Sequence, residues 1–453
     1  MKFKRHATAY LKDWKVSKNR KPLILRGARQ VGKTTLVKEF AKNYKHHIFL
    51  NLEKASDTRF FETYDDVGTL VEALFLSNNI SPKEQGNTLL FIDEIQELPK
   101  AIRSLRYFFE EVPDLNVIAA GSLLEFAMKD VESFPVGRIE YLYLYPLNFH
   151  EYLGAIQHTA AMEQLNAIPL KPVVHKVLLD LFHRYAIIGG MPEIVKTDIE
   201  NNNLAELPKV YESIWGTYKN DVEKYASNGS QRRVIKHITD TAHLYIDQRI
   251  KFQNFGKSNY RSREVGEAMR NLDAAKIIQL IYPTTDIEPP MKPDIKKSPR
   301  LQILDTGLVN YTLEIQAQML GMEDLDNTFK GAIIPHLIIQ EVISLNTITD
   351  TKPNFWIREK KQSSSEVDLV YPHGNKIIPI EIKSGATGTL KSLHQFMDKA
   401  GHPYAIRMYA GEFKVENSTT IEGTSFLLMN LPYYLGTQLP KYIEYFVSNY
   451  SFY

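Results

Sequence analysis

The sequence predicts an α/β protein of several domains. It has a phosphate-loop domain on a parallel sheet at one end, a helical middle, and a second α/β domain at the other end. Three observations carry that expectation. An apolar run at 22–25 leads into the octet 27–34 (GARQVGKT), and a helical pattern with Leu36, Val37 and Phe40 on one face follows. A second apolar run, 89–92, closes on Asp93 and Glu94. Near the far end, two strand-like runs flank the turn 372–375 and carry Asp368, Glu381 and Lys383.

The octet Gly27, Ala28, Arg29, Gln30, Val31, Gly32, Lys33 and Thr34, with Thr35 behind it, fits the pattern GxxxxGK[ST] in strand–loop–helix context. Glycines let the backbone curl so that its N–H groups point at phosphate oxygens, with a helix N-terminus behind them. Lys33 is placed to reach the β- and γ-phosphates, and the Thr34 hydroxyl to ligate Mg²⁺. The expected cofactors are therefore ATP and Mg²⁺. A carboxylate at the C-terminal edge of a neighbouring strand is where the metal is held, which suits Asp93. The next carboxylate, Glu94, can orient and deprotonate the attacking water as general base. A third run, 116–120, ends in Gly121-Ser122. Ser122 can bond the γ-phosphate or the lytic water, cap the next helix, or do both. Gly137-Arg138 precedes a last strand-like run at 139–144, where Arg138 either points toward a neighbouring subunit's nucleotide or is a surface residue.

Composition narrows the classes. A chain of 453 residues, 43% of them apolar, suggests two to four domains with ordinary cores. No run approaches the roughly 18 apolar residues of a membrane span, so no membrane partner is expected. The basic N-terminus has no apolar stretch after it and does not read as a signal peptide. Zero cysteines exclude disulfides and thiolate–zinc sites, and a reducing, cytoplasmic setting is the simplest expectation. The 55 basic and 53 acidic residues nearly balance, yet residues 1–45 hold 14 Lys/Arg against only Asp13 and Glu39. Such a cluster suits phosphate, nucleic acid or an acidic neighbour, or is simply a solvated face.

Residues 1–155 read as the phosphate-loop core and 156–228 as a helical lid, with Val173, Val177 and Leu181 on its apolar face. Over 229–312 the order is helix (Val234, Ile238, Ala242), short helix, helix (Val265, Met269, Leu272), then two strands about a Pro- and Lys-rich loop. That order predicts a winged helix-turn-helix. Its recognition helix would offer Arg261, Arg263 and Arg270 to DNA, although Glu264 and Glu267 lie on it too. Over 313–453 side-chain alternation puts Glu381 and Lys383 on one strand face, with Asp368 on the adjacent strand. Two carboxylates could then hold a hard divalent cation and the lysine could position a water against a phosphodiester. Glu341, on the apolar helix 333–344, would be a third carboxylate ligand. The bland alternative is ordinary cross-strand charge pairing. The aromatic tail 439–453 reads as core packing or a subunit contact.

These residues resemble the AAA+ superfamily, and more closely its prokaryotic ATPases that carry a C-terminal nuclease-like domain. The resemblance rests on GARQVGKT (27–34), LLFIDEIQELP (89–99), AAGSLLEF (119–126), GR (137–138), YPLNFHEYL (145–153) and GGMPEIV (189–195). It implies an α/β architecture: an AAA+ P-loop domain with a parallel sheet, a helical lid, a winged helix and a C-terminal PD-(D/E)XK nuclease-like domain. By position it makes Ser122 the sensor residue, Arg138 the arginine finger and Pro192 the proline that touches adenine. No second sensor arginine stands out. In the far domain Val367 replaces the proline of the PD-(D/E)XK name, and Gln395 falls where related nucleases keep a polar residue. The expected function is ATP hydrolysis by a homo-oligomer acting on DNA, with a possible metal-dependent nuclease. The alternative is a nucleotide-controlled signalling or assembly switch with a degenerate nuclease-like domain. Fold alone does not choose between them.

Overall fold

The apolar runs of the N-terminal half form one parallel sheet. The computed structural model describes residues 2–122, 124, 137–221, 224, 226, 228–320, 325, 331–358, 365–385 and 390–452. Two units divide the chain. One is Met1–Tyr145 with Ala274–Lys276 and Asn346–Asp350; the other is Pro146–Asp273 with Ile277–Leu345 and Thr351–Tyr453.

In the first unit, β1 (Leu23–Arg26) is followed by α1 (Lys33–Phe40) and β2 (His46–Asn51). Next come β3 (Thr88–Asp93), α2 (Pro99–Glu111), β4 (Asn116–Ala120) and β5 (Glu140–Tyr143). The strand order is β2-β3-β4-β1-β5, and all pairings are parallel. Every residue of β1 and β4 is buried, as continuous apolar runs require when both faces of a parallel sheet are covered. Leu36, Val37 and Phe40 of α1 are buried, as their spacing predicts. On α2, Ala101, Ile102, Leu105 and Phe108 form the buried stripe. Because β1 lies between β4 and β5, the loop after it opens at the sheet's C-terminal edge, where ligands of such sheets bind. The helix expected after Ser122 falls largely outside the described residues.

The second unit begins with α3 (Phe149–Ala155), where Asn148 accepts from the Glu151 N–H and Glu151 reciprocates in a capping box. Then come α4 (His175–Ile188) and α5 (Pro192–Asn201). The expected inward face of Val173, Val177 and Leu181 is corrected here. Val173 and Val177 are 83% and 51% exposed, and Leu178, Leu179, Phe182, Tyr185 and Ala186 are buried instead. Apolar residues on neighbouring turns allow either register, and the aromatic contacts of Phe182 with Phe149 and Tyr433 select this one. Helices α6 (Gly229–Thr241) and α7 (Ser262–Ala274) bury the residues their spacing indicates. After β6 (Ile278–Ile281) and β7 (Pro283–Thr284), strand β8 (Arg300–Ile303) pairs antiparallel with β6.

Helices α8 (Thr306–Thr312) and α9 (Ile333–Ser344) precede β9 (Asn354–Ile357), β10 (Glu366–His373) and β11 (Lys376–Ile382). The chain continues through α10 (Lys391–Met397), β12 (Tyr404–Tyr409), β13 (Lys414–Thr419), β14 (Ser425–Pro432) and α11 (Leu439–Asn449). The seven-stranded sheet runs β13-β14-β12-β11-β10-β9-β7. Strands β10 and β11 form the expected hairpin, with Gly374 supplying a positive φ of 56° at its turn. In the tail, Tyr442 and Phe446 are buried, so packing explains them.

Candidate functional site

The loop between β1 and α1 is held by glycine geometry and by a buried arginine. Gly27 has φ +147°, and a Cβ there would lie 2.2 Å from the Leu144 carbonyl oxygen. Gly32 caps α1 in the left-handed region, at φ 95°. The Arg5 guanidinium donates to Val31 O at 3.0 Å and Tyr145 O at 2.6 Å, tying the loop to the chain after β5. Lys33 is buried, and its Nζ donates to Gly27 O and Ala28 O, each at 2.9 Å. Burial, only partly offset by the charges of Glu94 and Asp93, pushes its pKa down to about 8. A buried ammonium whose hydrogen-bond partners among the described residues are two carbonyls is a cation suited to a polyanion.

Thr34 Oγ1 donates to Asp93 Oδ2 at 2.7 Å, so the two expected metal-binding oxygens meet. Desolvation is the main reason that the Asp93 carboxyl is raised above the usual range. This hard-oxygen pair fits Mg²⁺. Glu94 follows the strand end in the left-handed region, at φ 51°, and its N–H donates to Asp93 Oδ1 at 3.2 Å. Its carboxylate is gripped by Gln96, whose Nε2 donates to Glu94 Oε2 at 2.6 Å. Ser122 is buried, and Arg29 Nε donates to its Oγ at 3.3 Å. The residues at 27–34, 93–94 and 122 thus come together. Arg138 stands on the far side of a different contact: its Nε donates to Glu110 Oε1 of α2 at 2.9 Å, and 44% of the side chain is exposed.

Pro192 occupies the first position of α5, where its missing N–H costs nothing. The two glycines before it answer to packing in the second unit. The Gly190 N–H donates to Asp305 Oδ2 at 2.6 Å, and a Cβ on Gly190 would meet Leu147 O at 2.0 Å.

The C-terminal cluster departs from expectation. Asp368 and Glu381 do lie across the β10–β11 hairpin, one step beyond the pair Leu369↔Ile380, and Lys383 Nζ donates to Glu381 Oε1 at 2.7 Å. Glu341 does not join them. Both its oxygens accept from the Phe149 N–H, at 3.1 and 3.0 Å, and the Tyr185 hydroxyl donates to Oε1 at 2.7 Å. Burial pushes its pKa up to about 8. The helix was expected to be apolar, and it is, but the face carrying Glu341 packs on α3 and α4. Asp368 is also committed. Its Oδ2 accepts from the Ile382 N–H at 2.9 Å and its Oδ1 from Arg300 at 3.2 Å. Glu381 Oε2 is buried without a hydrogen-bond partner among the described residues. No group of three or more His, Asp or Glu among those residues is arranged to hold a metal. Glu341 is therefore not a third ligand beside Asp368 and Glu381, and Asp368 pairs with Arg300. Gln395 accepts from Arg358 at 3.1 Å.

Sequence reasoning missed Arg5, Gln96 and Arg300. Gln96 was legible in principle, two residues beyond the expected base; Arg5 and Arg300 carry no local signal.

The first unit has the parallel sheet and phosphate loop of a P-loop domain, and residues 19–153 match the family model described as an AAA domain. Residues 179–319 and 330–431 match models described as domains of unknown function, DUF8612 and DUF4143. A comparison with curated proteins finds no match. Among solved structures, the Aeropyrum pernix ORC1 protein in complex with DNA is similar at 15% identity. That similarity covers 70% of this chain and 93% of that one with a TM-score of 0.23, too low to bear on function. No helix among the described residues is long and apolar enough to cross a membrane.

Proposed function

We propose that the protein is a Mg²⁺-dependent ATPase that acts on DNA as a homo-oligomer. The observation that carries this reading is the convergence of buried Lys33 with Thr34, Asp93 and Glu94 at one sheet edge. Bound MgATP would supply the polyanion and a γ-phosphate electrophile whose charge the metal helps neutralise. Lys33 and the loop N–H groups of 27–34 orient the phosphates, while Thr34 and Asp93 hold the metal. Glu94 takes the proton of the attacking water. Ser122, steadied by Arg29, reads the γ-phosphate position. Arg138 of a second copy completes the charge compensation.

DNA as partner is supported by residues 229–312. The order of α6, α7, β6 and β8 suits a winged helix, and Arg261, Arg263 and Arg270 are exposed. The two acids that seemed to argue against a polyanion are engaged within the chain. Glu264 Oε2 accepts from the Arg261 N–H at 2.9 Å, and Glu267 Oε1 accepts from Gln231 at 3.0 Å. ATP turnover measured alone and with single-stranded, duplex and branched DNA tests the reading. Stimulation by at least one form is expected; turnover indifferent to all three would remove DNA from it. The second reading, a nucleotide-controlled switch with a non-cleaving C-terminal module, is favoured by the commitment of Asp368 to Arg300.

A further inference from the structure

Arg300 opens β8, and only 12% of its side chain is exposed. Its NH1 donates to Asp247 Oδ1 at 3.3 Å and to Asp368 Oδ1 at 3.2 Å, and its NH2 to Glu366 Oε2 at 3.0 Å. The guanidinium also lies over the Phe355 ring, 4.7 Å from its centroid. Glu366 takes a further cation, since Arg249 NH1 donates to its Oε1 at 2.9 Å. Three carboxylates from two separate stretches of chain thus converge on one planar fork, while Lys383 holds the fourth, Glu381.

We propose that the Arg300 guanidinium is the resident cation of this cluster, standing where a nuclease of this arrangement would bind its metal, so that the cluster is a strut and not a hydrolytic centre. Three geometric facts support it. First, both Asp368 oxygens are already engaged. One accepts from the Ile382 backbone N–H and the other from Arg300, so a metal about 2.1 Å from Oδ1 would crowd the guanidinium, which sits 3.2 Å from the same oxygen. Second, a divalent ion there would enter between two fixed positive charges, Arg300 and Lys383, in a buried setting where repulsion is poorly screened. Third, Arg300 satisfies carboxylates that belong to different elements. Asp247 precedes the β6–β8 pair in the chain, and Glu366 and Asp368 open β10. The fork therefore ties that pair to the seven-stranded sheet, a task that a planar guanidinium performs and a lysine cannot. The proposal stands independently of the ATPase reading.

Mn²⁺ titration of the full chain without nucleotide, followed by electron paramagnetic resonance, tests it directly. The parent is expected to bind no Mn²⁺ that Asp368→Asn or Glu381→Gln removes, up to millimolar concentration. Arg300→Gln leaves three carboxylates facing one another. It is expected to melt several degrees below the parent, and Mn²⁺ should raise its melting temperature while leaving the parent's unchanged. A parent that binds one Mn²⁺ and loses it in Asp368→Asn overturns the proposal, as does an Arg300→Gln protein that melts at the parent temperature. Arg300→Lys, which keeps the charge but not the fork, should also melt below the parent.

Discussion

Burial of the Lys33 ammonium in the phosphate loop sets its pH response. Its pKa in the folded chain is about 8 against 10.5 for the free side chain, because burial disfavours the ammonium. Between those values the unfolded chain binds the extra proton. The burial penalty is thus fully felt below pH 8 and relieved as pH rises toward 10.5. Nucleotide binding needs the charged form. ATP affinity should fall above pH 8, by up to about tenfold per pH unit, with proton uptake on binding, as titration calorimetry in two buffers would reveal. A flat affinity from pH 7 to 9.5 would contradict the assignment. Lys33→Ala should abolish nucleotide binding. Glu94→Gln should keep ATP affinity within a few-fold and cut turnover by roughly 10²–10⁴, the usual worth of a general base. Parent-level turnover in the Glu94 variant would mean that another group takes the proton.

Among the elements, the start of α5 is set by a contact that leaves no room for a side chain. Gly190 donates to buried Asp305, and any Cβ would drive into the Leu147 carbonyl at 2.0 Å. Gly190→Ala should cost about 3 kcal/mol or more, read as a lowered melting temperature or loss of soluble protein. Gly86→Ala is the control, since a Cβ there meets nothing within 4 Å, and it should be close to neutral. Helix α7 makes a separate prediction. Replacing Arg261, Arg263 and Arg270 together with alanine should weaken duplex binding and flatten its salt dependence by roughly one unit of slope per lost phosphate contact, measured by fluorescence anisotropy. An unchanged salt slope would place DNA elsewhere or nowhere on the chain.

For the whole molecule the open matter is how many copies complete one site. Arg138 is half-exposed and paired with Glu110 of its own chain, so reaching another copy's γ-phosphate requires that pair to part. An exposed pair of this kind is screened by solvent, contributes little and is no obstacle. Arg138→Ala should keep ATP affinity and lose roughly 10³-fold or more in turnover, whereas Glu110→Ala should not slow turnover. In the parent, specific activity should climb with protein concentration as copies associate. Constant specific activity across a range in which sedimentation shows only monomer would remove the trans role.

Much of the first unit was legible in the chain, because its signals are local. A strand, a six-residue loop and a helix are contiguous, and the short apolar runs at 89–92 and 116–120 read as buried strands. The hairpin that sets Asp368 opposite Glu381 was legible for the same reason: a short turn between alternating strands determines register. Tertiary structure decided the rest. Which face of α4 turns inward depended on Phe149 and Tyr433, which are remote in sequence. Glu341 lay on the expected helix, but its direction was settled by the Phe149 N–H and Tyr185 hydroxyl. Arg300 reaches Asp368 across 68 positions, a separation over which spacing carries no information. Local sequence determined which groups were present and on what elements, because backbone periodicity is short-ranged. Which cation met which carboxylate was decided by packing, because charges pair with whatever the folded chain brings within reach.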